Sequence, residues 1–292
     1  MARETTFLGV LVAVIVLGAL FALLEGRYRT RRPGLAWFRR KDVRTDLAWF
    51  LTTPLVTKVV TRTALLLTAA VVLLASGRTL EWARSELAAG RFPDLGVLGL
   101  GPALRGLPLA VQVVLGLFVG DLFAYAQHRL FHRRPLWGFH AVHHSSPRLD
   151  WLSSVRVHPV NDVLGRVLQG APLLLLGFDP RVFALYAPFA TLYAILLHAD
   201  VRWDFGPLRT VLASPMFHRW HHAADAAAAD KNFAGFFSFI DLAFGTYHLP
   251  KGELPQALGV SGLPVPGRFL AQLAYPFRKP RPGERLANDA RT

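Results

Sequence analysis

Three histidine clusters constrain this chain more than any other feature of its sequence. They read H-R-L-F-H (His128, His132), H-A-V-H-H (His140, His143, His144) and H-R-W-H-H (His218, His221, His222). On a helix, residues at i, i+3 and i+4 share a face, so each cluster aims its imidazoles in one direction. Neutral imidazole is the commonest protein ligand for zinc and iron. A structural zinc takes about four ligands and an octahedral ion about six, so eight clustered imidazoles point to two metals. All eleven histidines lie between His128 and His248, a distribution that scattered surface or core histidines would not produce. Any fold of this chain must therefore bring three separated segments to one place. There is no cysteine, which excludes thiolate sites, iron–sulfur clusters and disulfides.

Hydrophobicity sets where that place is. Mean hydropathy is +0.33 and only 18% of residues are charged, the composition of an integral membrane protein. Phe7 to Leu24 is a run of 18 residues without a charge, enough for roughly 27 Å of helix. Glu4, and E-G-R-Y-R where a small-residue cleavage site would stand, argue for a span rather than a signal peptide. A second apolar stretch runs from Phe50 to Ala75, with Lys58 and Arg62 snorkelling from its first half. A third, Leu107 to Gln127, leads directly into the first histidine cluster. Val163–Phe178 and Val182–Leu197 flank the turn sequence Gly177-Phe178-Asp179-Pro180 and predict a helical hairpin that dips into or crosses the bilayer. The expected fold is an all-α integral membrane protein with about four to five transmembrane or hairpin helices and a cytoplasmic histidine-rich helical cap. Residues 1–106 would hold the N-terminal spans and a basic loop, 107–250 the catalytic region, and 251–292 a basic tail.

Charge supports that topology. Between Gly26 and Thr45 stand Arg27, Arg29, Arg31, Arg32, Arg39, Arg40, Lys41 and Arg44 against the single acid Asp42, which the positive-inside rule places in the cytoplasm. Counting spans from there returns the chain to the same side after Gln127, and the hairpin returns it again at His198. The net charge of +14 comes from residues that flank apolar spans and fill the tail. Anionic lipid headgroups account for it better than nucleic acid does. Asp121, Tyr125, His128 and His132 form one stripe on the third span. An acid there is costly and needs a partner. Two roles stand open for Asp121: accepting the free ring N–H of a metal-bound histidine, with Tyr125 beside it, or pairing with a neighbouring helix.

These segments also share a recognisable order. H-R-L-F-H, W-G-F-H-A-V-H-H-S, R-V-H-P, H-A-D-V-R-W-D-F-G-P-L, F-H-R-W-H-H, D-K-N-F-A-G and F-G-T-Y-H-L-P follow one another from about Asp121 to Pro250. This pattern resembles the fatty acid hydroxylase / sterol desaturase superfamily, and its bacterial sterol-desaturase-like branch in particular. The resemblance covers nearly half the chain and implies a non-haem di-iron oxygenase using O2 as co-substrate. It implies that His128, His132, His140, His143, His144, His198, His218, His221 and His222 bind the two irons. His158, in R-V-H-P, is implied as a tenth ligand or a pocket residue, and His248 as structural or surface. The implied reaction is hydroxylation or desaturation of a sterol-like or fatty acyl lipid, with the active site at the cytoplasmic side of a bacterial inner membrane. No flavin, haem or iron–sulfur motif is present, so electrons must come from a separate donor, a ferredoxin- or cytochrome-type reductase. Arg129, Arg133, Arg134 and Arg219 are candidates for its docking surface, or for contact with lipid headgroups. The alanine-rich stretch Ala223 to Asp230 leaves the histidine clusters intact and carries no signal of its own.

Two other classes compete. A membrane zinc hydrolase would also use histidines, but H-E-x-x-H is absent and no glutamate adjoins a cluster to act as base. A histidine-rich metal transporter or sensor would line a path across the bilayer, whereas these ligands gather on one side.

Overall fold

Long apolar segments become long helices because a bilayer leaves backbone polar groups no partner except one another. The computed structural model describes residues 2–28, 41–90, 96–260 and 265–278, excepting the side chains of 2–14, 41, 53–55 and 57–58. Arg29, Arg31, Arg32, Arg39 and Arg40, the side chains of Lys41, Lys58 and Phe7–Val14, and the tail beyond Arg278 thus lie outside the described residues. The helices are α1 (Ala2–Tyr28), α2 (Lys41–Ser76), α3 (Leu80–Ala88), α4 (Gly101–Gly106), α5 (Leu109–Phe131) and α6 (Trp137–His144). They continue as α7 (Pro159–Leu176), α8 (Pro180–His198), α9 (Pro215–His221), α10 (Phe239–Ala243) and α11 (Phe269–Ala274). Among the described residues the one extended pairing is an isolated bridge, Ala223 to Leu258. The protein is a nearly all-helical membrane protein. Val59–Ser76, Leu109–Phe131 and Pro180–His198 are long and apolar enough to cross a bilayer.

Inside and outside are inverted along these spans. Leu66 and Leu74 of α2 are 72% and 83% exposed, a face for lipid. The opposite stripe, Val60, Ala64, Thr68 and Val72, is buried and packs on α7. On α5 the buried positions are Gln112, Gly116, Gly120, Asp121, Tyr125, Gln127 and Phe131. Small residues let helix backbones approach, and polar ones find partners inside the bundle. Gly116 and Gly120 lie under Val182 and Tyr186 of α8.

The α7–α8 hairpin turns where the sequence predicts. Gly177 ends α7 in the left-handed conformation, φ +85°, where a side chain is strained. A β-carbon there would stand 2.6 Å from Gly101 Cα. Asp179 then caps α8, accepting the N–H of Arg181 at 2.8 Å, and Pro180 takes the first helical turn.

Side chains tie the outer segments to this core. Glu25, near the end of α1, accepts the backbone N–H of Trp151 at 2.9 Å and of Asp200 at 3.1 Å. Asp46 of α2 receives Arg156 Nε at 2.7 Å. Trp49 donates to Gln272 of α11 at 2.7 Å.

Candidate metal centre

Helix ends deliver the histidines. His128 stands in the last turn of α5 and His132 is its C-cap. His140, His143 and His144 ride on α6, His198 ends α8, and α9 carries His218 and His221 with His222 as C-cap. Every residue of α9 is buried, and Ser214 starts the helix by accepting the N–H of Phe217 at 3.1 Å. This helix has no solvent face, so its imidazoles can point only inward.

The rings meet in two groups. His128, His132, His140, His144 and His221 bring one ring nitrogen each to within 4.8 Å of one another, and His143, His198, His218 and His222 do the same. The groups adjoin, with the rings of His144 and His222 stacked at 4.4 Å. All nine histidines expected from the sequence therefore lie together.

The outward ring nitrogens explain why the inward ones suit a metal. Nδ1 of His128 lies 2.8 Å from Phe233 O, His221 2.8 Å from Lys231 O, His143 3.2 Å from Arg156 O and His198 2.7 Å from Ala194 O. A carbonyl oxygen can only accept, so each Nδ1 carries the hydrogen and each Nε2 presents a lone pair. His143 Nε2 and His198 Nε2 then face each other at 3.2 Å with no proton between them. Two lone pairs at that distance repel, and a cation held between such groups removes the repulsion. Burial away from water, reinforced by neighbouring imidazoles, holds His140, His143, His144, His218 and His222 well below the usual 6.5. Neutral rings with oriented lone pairs are what ligation requires. Among the described residues, no aspartate or glutamate joins either group.

Other candidates take different places. His158 joins neither group. It caps α7 by accepting Val160 N–H at 3.2 Å through Nδ1, and its Nε2 lies 3.2 Å from Leu273 O. Both ring nitrogens thus face backbone groups. Asp121 touches no imidazole and takes backbone N–H groups of Gly235, Phe236 and Phe237 instead. Tyr125 Oη stands 3.0 Å from Thr246 Oγ1, also away from the rings. Arg219 is buried and donates to Asp200 at 2.7 Å, so it cannot belong to a docking surface. Arg133 and Arg134 are exposed.

The sequence reading missed two partners. Asp230, in the alanine-rich stretch, lies 3.1 Å from His132 Nδ1, and Asn161 Oδ1 lies 3.0 Å from His140 Nδ1. Both orient a ring from behind. A polar residue in the first turn of α7, two positions after R-V-H-P, was the available signal for Asn161.

Fold and site together define a helical membrane protein with a histidine-lined centre able to hold metal. The fatty acid hydroxylase family profile matches residues 113–246, so this region is similar to that family. It is similar to the ornithine lipid hydroxylase OlsE of Rhizobium tropici, with 36% identity over 173 residues, 59% of this chain and 52% of the relative. Alkylglycerol monooxygenase of Danio rerio is 36% identical over 132 residues, 44% of this chain and 29% of the relative. The sphingolipid C4-hydroxylase sur2 of Schizosaccharomyces pombe is 27% identical over 151 residues, 50% of this chain and 51% of the relative. The chain thus spans about half the length of these relatives or less. No solved structure matches it.

Proposed function

We propose that this protein is a membrane-bound non-haem di-iron oxygenase that hydroxylates a lipid, with O2 as co-substrate. The observation that carries the reading is the pair of adjoining histidine groups, in which His128, His132, His140, His143, His198 and His221 each set Nδ1 against an oxygen acceptor. His128, His132, His140, His144 and His221 would hold one iron, and His143, His198, His218 and His222 the other. When bound, the irons supply O2 activation and the oxidising power for attack on an unactivated C–H bond. The chain's own residues fix ring tautomers through backbone carbonyls, Asp230 and Asn161, keep water away by burial, and orient the lipid. Among the described residues no carboxylate joins the groups, which disfavours a zinc hydrolase relying on a general base beside its metal.

The relatives are named for hydroxylation or monooxygenation of ornithine lipid, alkylglycerol and sphingolipid, and a lipid substrate is proposed here by that similarity. The proposed setting is a bacterial inner membrane with the centre at the cytoplasmic face. Electrons come from a separate ferredoxin- or cytochrome-type donor, for which exposed Arg133 and Arg134, beside His132, offer a positive surface.

The test is metal analysis of purified protein with lipid profiling of cells with and without the gene under ¹⁸O₂. Two irons per chain and a gene-dependent lipid carrying one labelled oxygen are expected. Zinc in place of iron, or no gene-dependent oxidation product, overturns the proposal. A new double bond without label redirects it to desaturation.

A further inference from the structure

A cavity of about 630 Å³ lies between α2, α5, α7 and α8, within the range of small-molecule sites. Its wall includes Asn161, whose Oδ1 meets His140 Nδ1 at 3.0 Å. It also includes Ala194, whose carbonyl accepts from His198 at 2.7 Å. The cavity therefore adjoins both histidine groups, from the side of the spans.

Its wall carries polar side chains besides Asn161, Gln127 and Gln169 among them. Gln127, immediately before His128, is only 7% exposed and lines the cavity, and its side chain makes no hydrogen bond with any described residue. Its Oε1 and Nε2 stand 3.6 and 3.8 Å from the point where a β-carbon on Gly165 would lie. Gln169 Nε2 is 3.7 Å from that point, while Gln169 Oε1 accepts the hydroxyl of Tyr186 at 3.3 Å. The absent side chain of Gly165 thus opens a notch where a whole amide and the N–H₂ of a second converge. A saturated chain filling this cavity would strip water from these groups and return nothing, which is unfavourable for buried polar atoms. A ligand with its own oxygen at that level would satisfy them. At this notch Gln127 offers an acceptor and both amides offer N–H donors.

We infer that this cavity seats the lipid and that Gln127 and Gln169 are specificity-determining residues for substrates with a neutral oxygen acceptor, a carbonyl or hydroxyl, close to the attacked carbon. The inference rests on the lipid oxygenase reading and adds the chemistry its substrate must carry. Sites built to hydrogen-bond a ligand group discriminate strongly against analogues lacking it.

The test uses full-length protein in nanodiscs and two probes of similar size, N-methylhexadecanamide and nonadecane, with binding read by native mass spectrometry. The wild-type protein is expected to prefer the amide by about tenfold or more, the scale of one net hydrogen bond. Gln127→Leu and Gln169→Leu should each lower amide binding by about tenfold, leave nonadecane binding unchanged and leave metal per chain unchanged. Equal binding of the two probes by the wild-type protein, or an equal loss for both in the variants, overturns the inference. Gln169→Leu, one helix away from the ligands, carries the test should Gln127→Leu disturb His128. Failure of ¹⁸O incorporation with probe preference retained would sink the oxygenase reading and leave the cavity assignment standing; the reverse pattern would do the opposite.

Discussion

Asp121 and Asp241 divide between them five consecutive backbone N–H groups. Asp241 takes Phe233 and Ala234 at 2.8 Å each, and Asp121 takes Gly235, Phe236 and Phe237 at 2.8, 3.1 and 2.6 Å. The same stretch presents Phe233 O to His128 Nδ1. The buried acid of α5 thus reaches the centre through a strand of backbone rather than through a ring. Asp121→Ala should cost roughly 2–4 kcal/mol by stranding three buried donors. It should also weaken metal retention in the five-histidine group. Thermal unfolding and metal per chain after dialysis check both, and unchanged metal retention with lowered stability would limit Asp121 to folding.

Ligand number sets which group fails first. His222→Ala leaves three histidines in its group, whereas His132→Ala leaves four in the other. His222→Ala is therefore expected to lower metal from two ions per chain toward one, and His132→Ala to retain more. Mass-spectrometric metal analysis after a chelator challenge distinguishes them. An equal loss in the two variants would argue for ions shared across the groups.

Acid should unfold the metal-free protein through these rings. In the unfolded chain a histidine takes up a proton near 6.5, but burial keeps His140, His143, His144, His218 and His222 neutral far below that value. Above 6.5 folded and unfolded rings are both neutral, and the contribution to stability is fully present. As pH falls through 6.5 only the unfolded chain binds protons, so stability drops by up to about 1.4 kcal/mol per pH unit for each ring. The expected melting temperature of metal-free protein is flat from pH 8 to about 7 and falls steeply below about 6.5. Bound metal should move the fall to lower pH, and a metal-free curve flat down to about pH 5 would refute buried neutral rings.

Asn161 is expected to tune metal affinity without touching metal. Removing a hydrogen-bond partner behind a ligating histidine typically costs about 10–100-fold in affinity. Asn161→Leu should show that loss in chelator competition, and Asn161→Asp should restore most of it, because a carboxylate also accepts the His140 N–H. Equal affinities for the two variants would mean that Asn161 serves only the cavity wall.

The nine histidines were legible because imidazole is a scarce, chemically committed side chain and its spacing matches a helix face. The helices were legible too, with boundaries displaced for local reasons. The third span runs on past Gln127 to Phe131 because nothing breaks it before His132. The hairpin helices start at Pro159 and Pro180, prolines being favoured in a first turn. What stayed hidden were the groups behind the rings. Most are backbone carbonyls, of Phe233, Lys231, Arg156 and Ala194, which any sequence supplies. Arg219 read as a surface cation because its burial follows from Asp200 and Leu149 arriving from elsewhere in the chain.

Gly116 and Gly120 set the spacing between α5 and α8, and the two should respond differently to substitution. A β-carbon on Gly116 would stand 2.7 Å from Val182 Cγ1, and Val182 is fully buried with a short branched side chain that cannot swing away. Gly116→Ala must therefore push the helices apart, at a cost of about 1–3 kcal/mol. At Gly120 the clash is with the Tyr186 ring and hydroxyl, at 2.7–2.9 Å, near the end of a longer side chain that can turn. Gly120→Ala should cost less stability but displace the hydroxyl that donates to Gln169. Thermal unfolding should rank Gly116→Ala as the more damaging variant. Lipid binding should rank Gly120→Ala as the more altered, since freeing Gln169 Oε1 adds an acceptor to the cavity. The opposite ranking in either measurement would show that α5 and α8 do not meet at these two glycines.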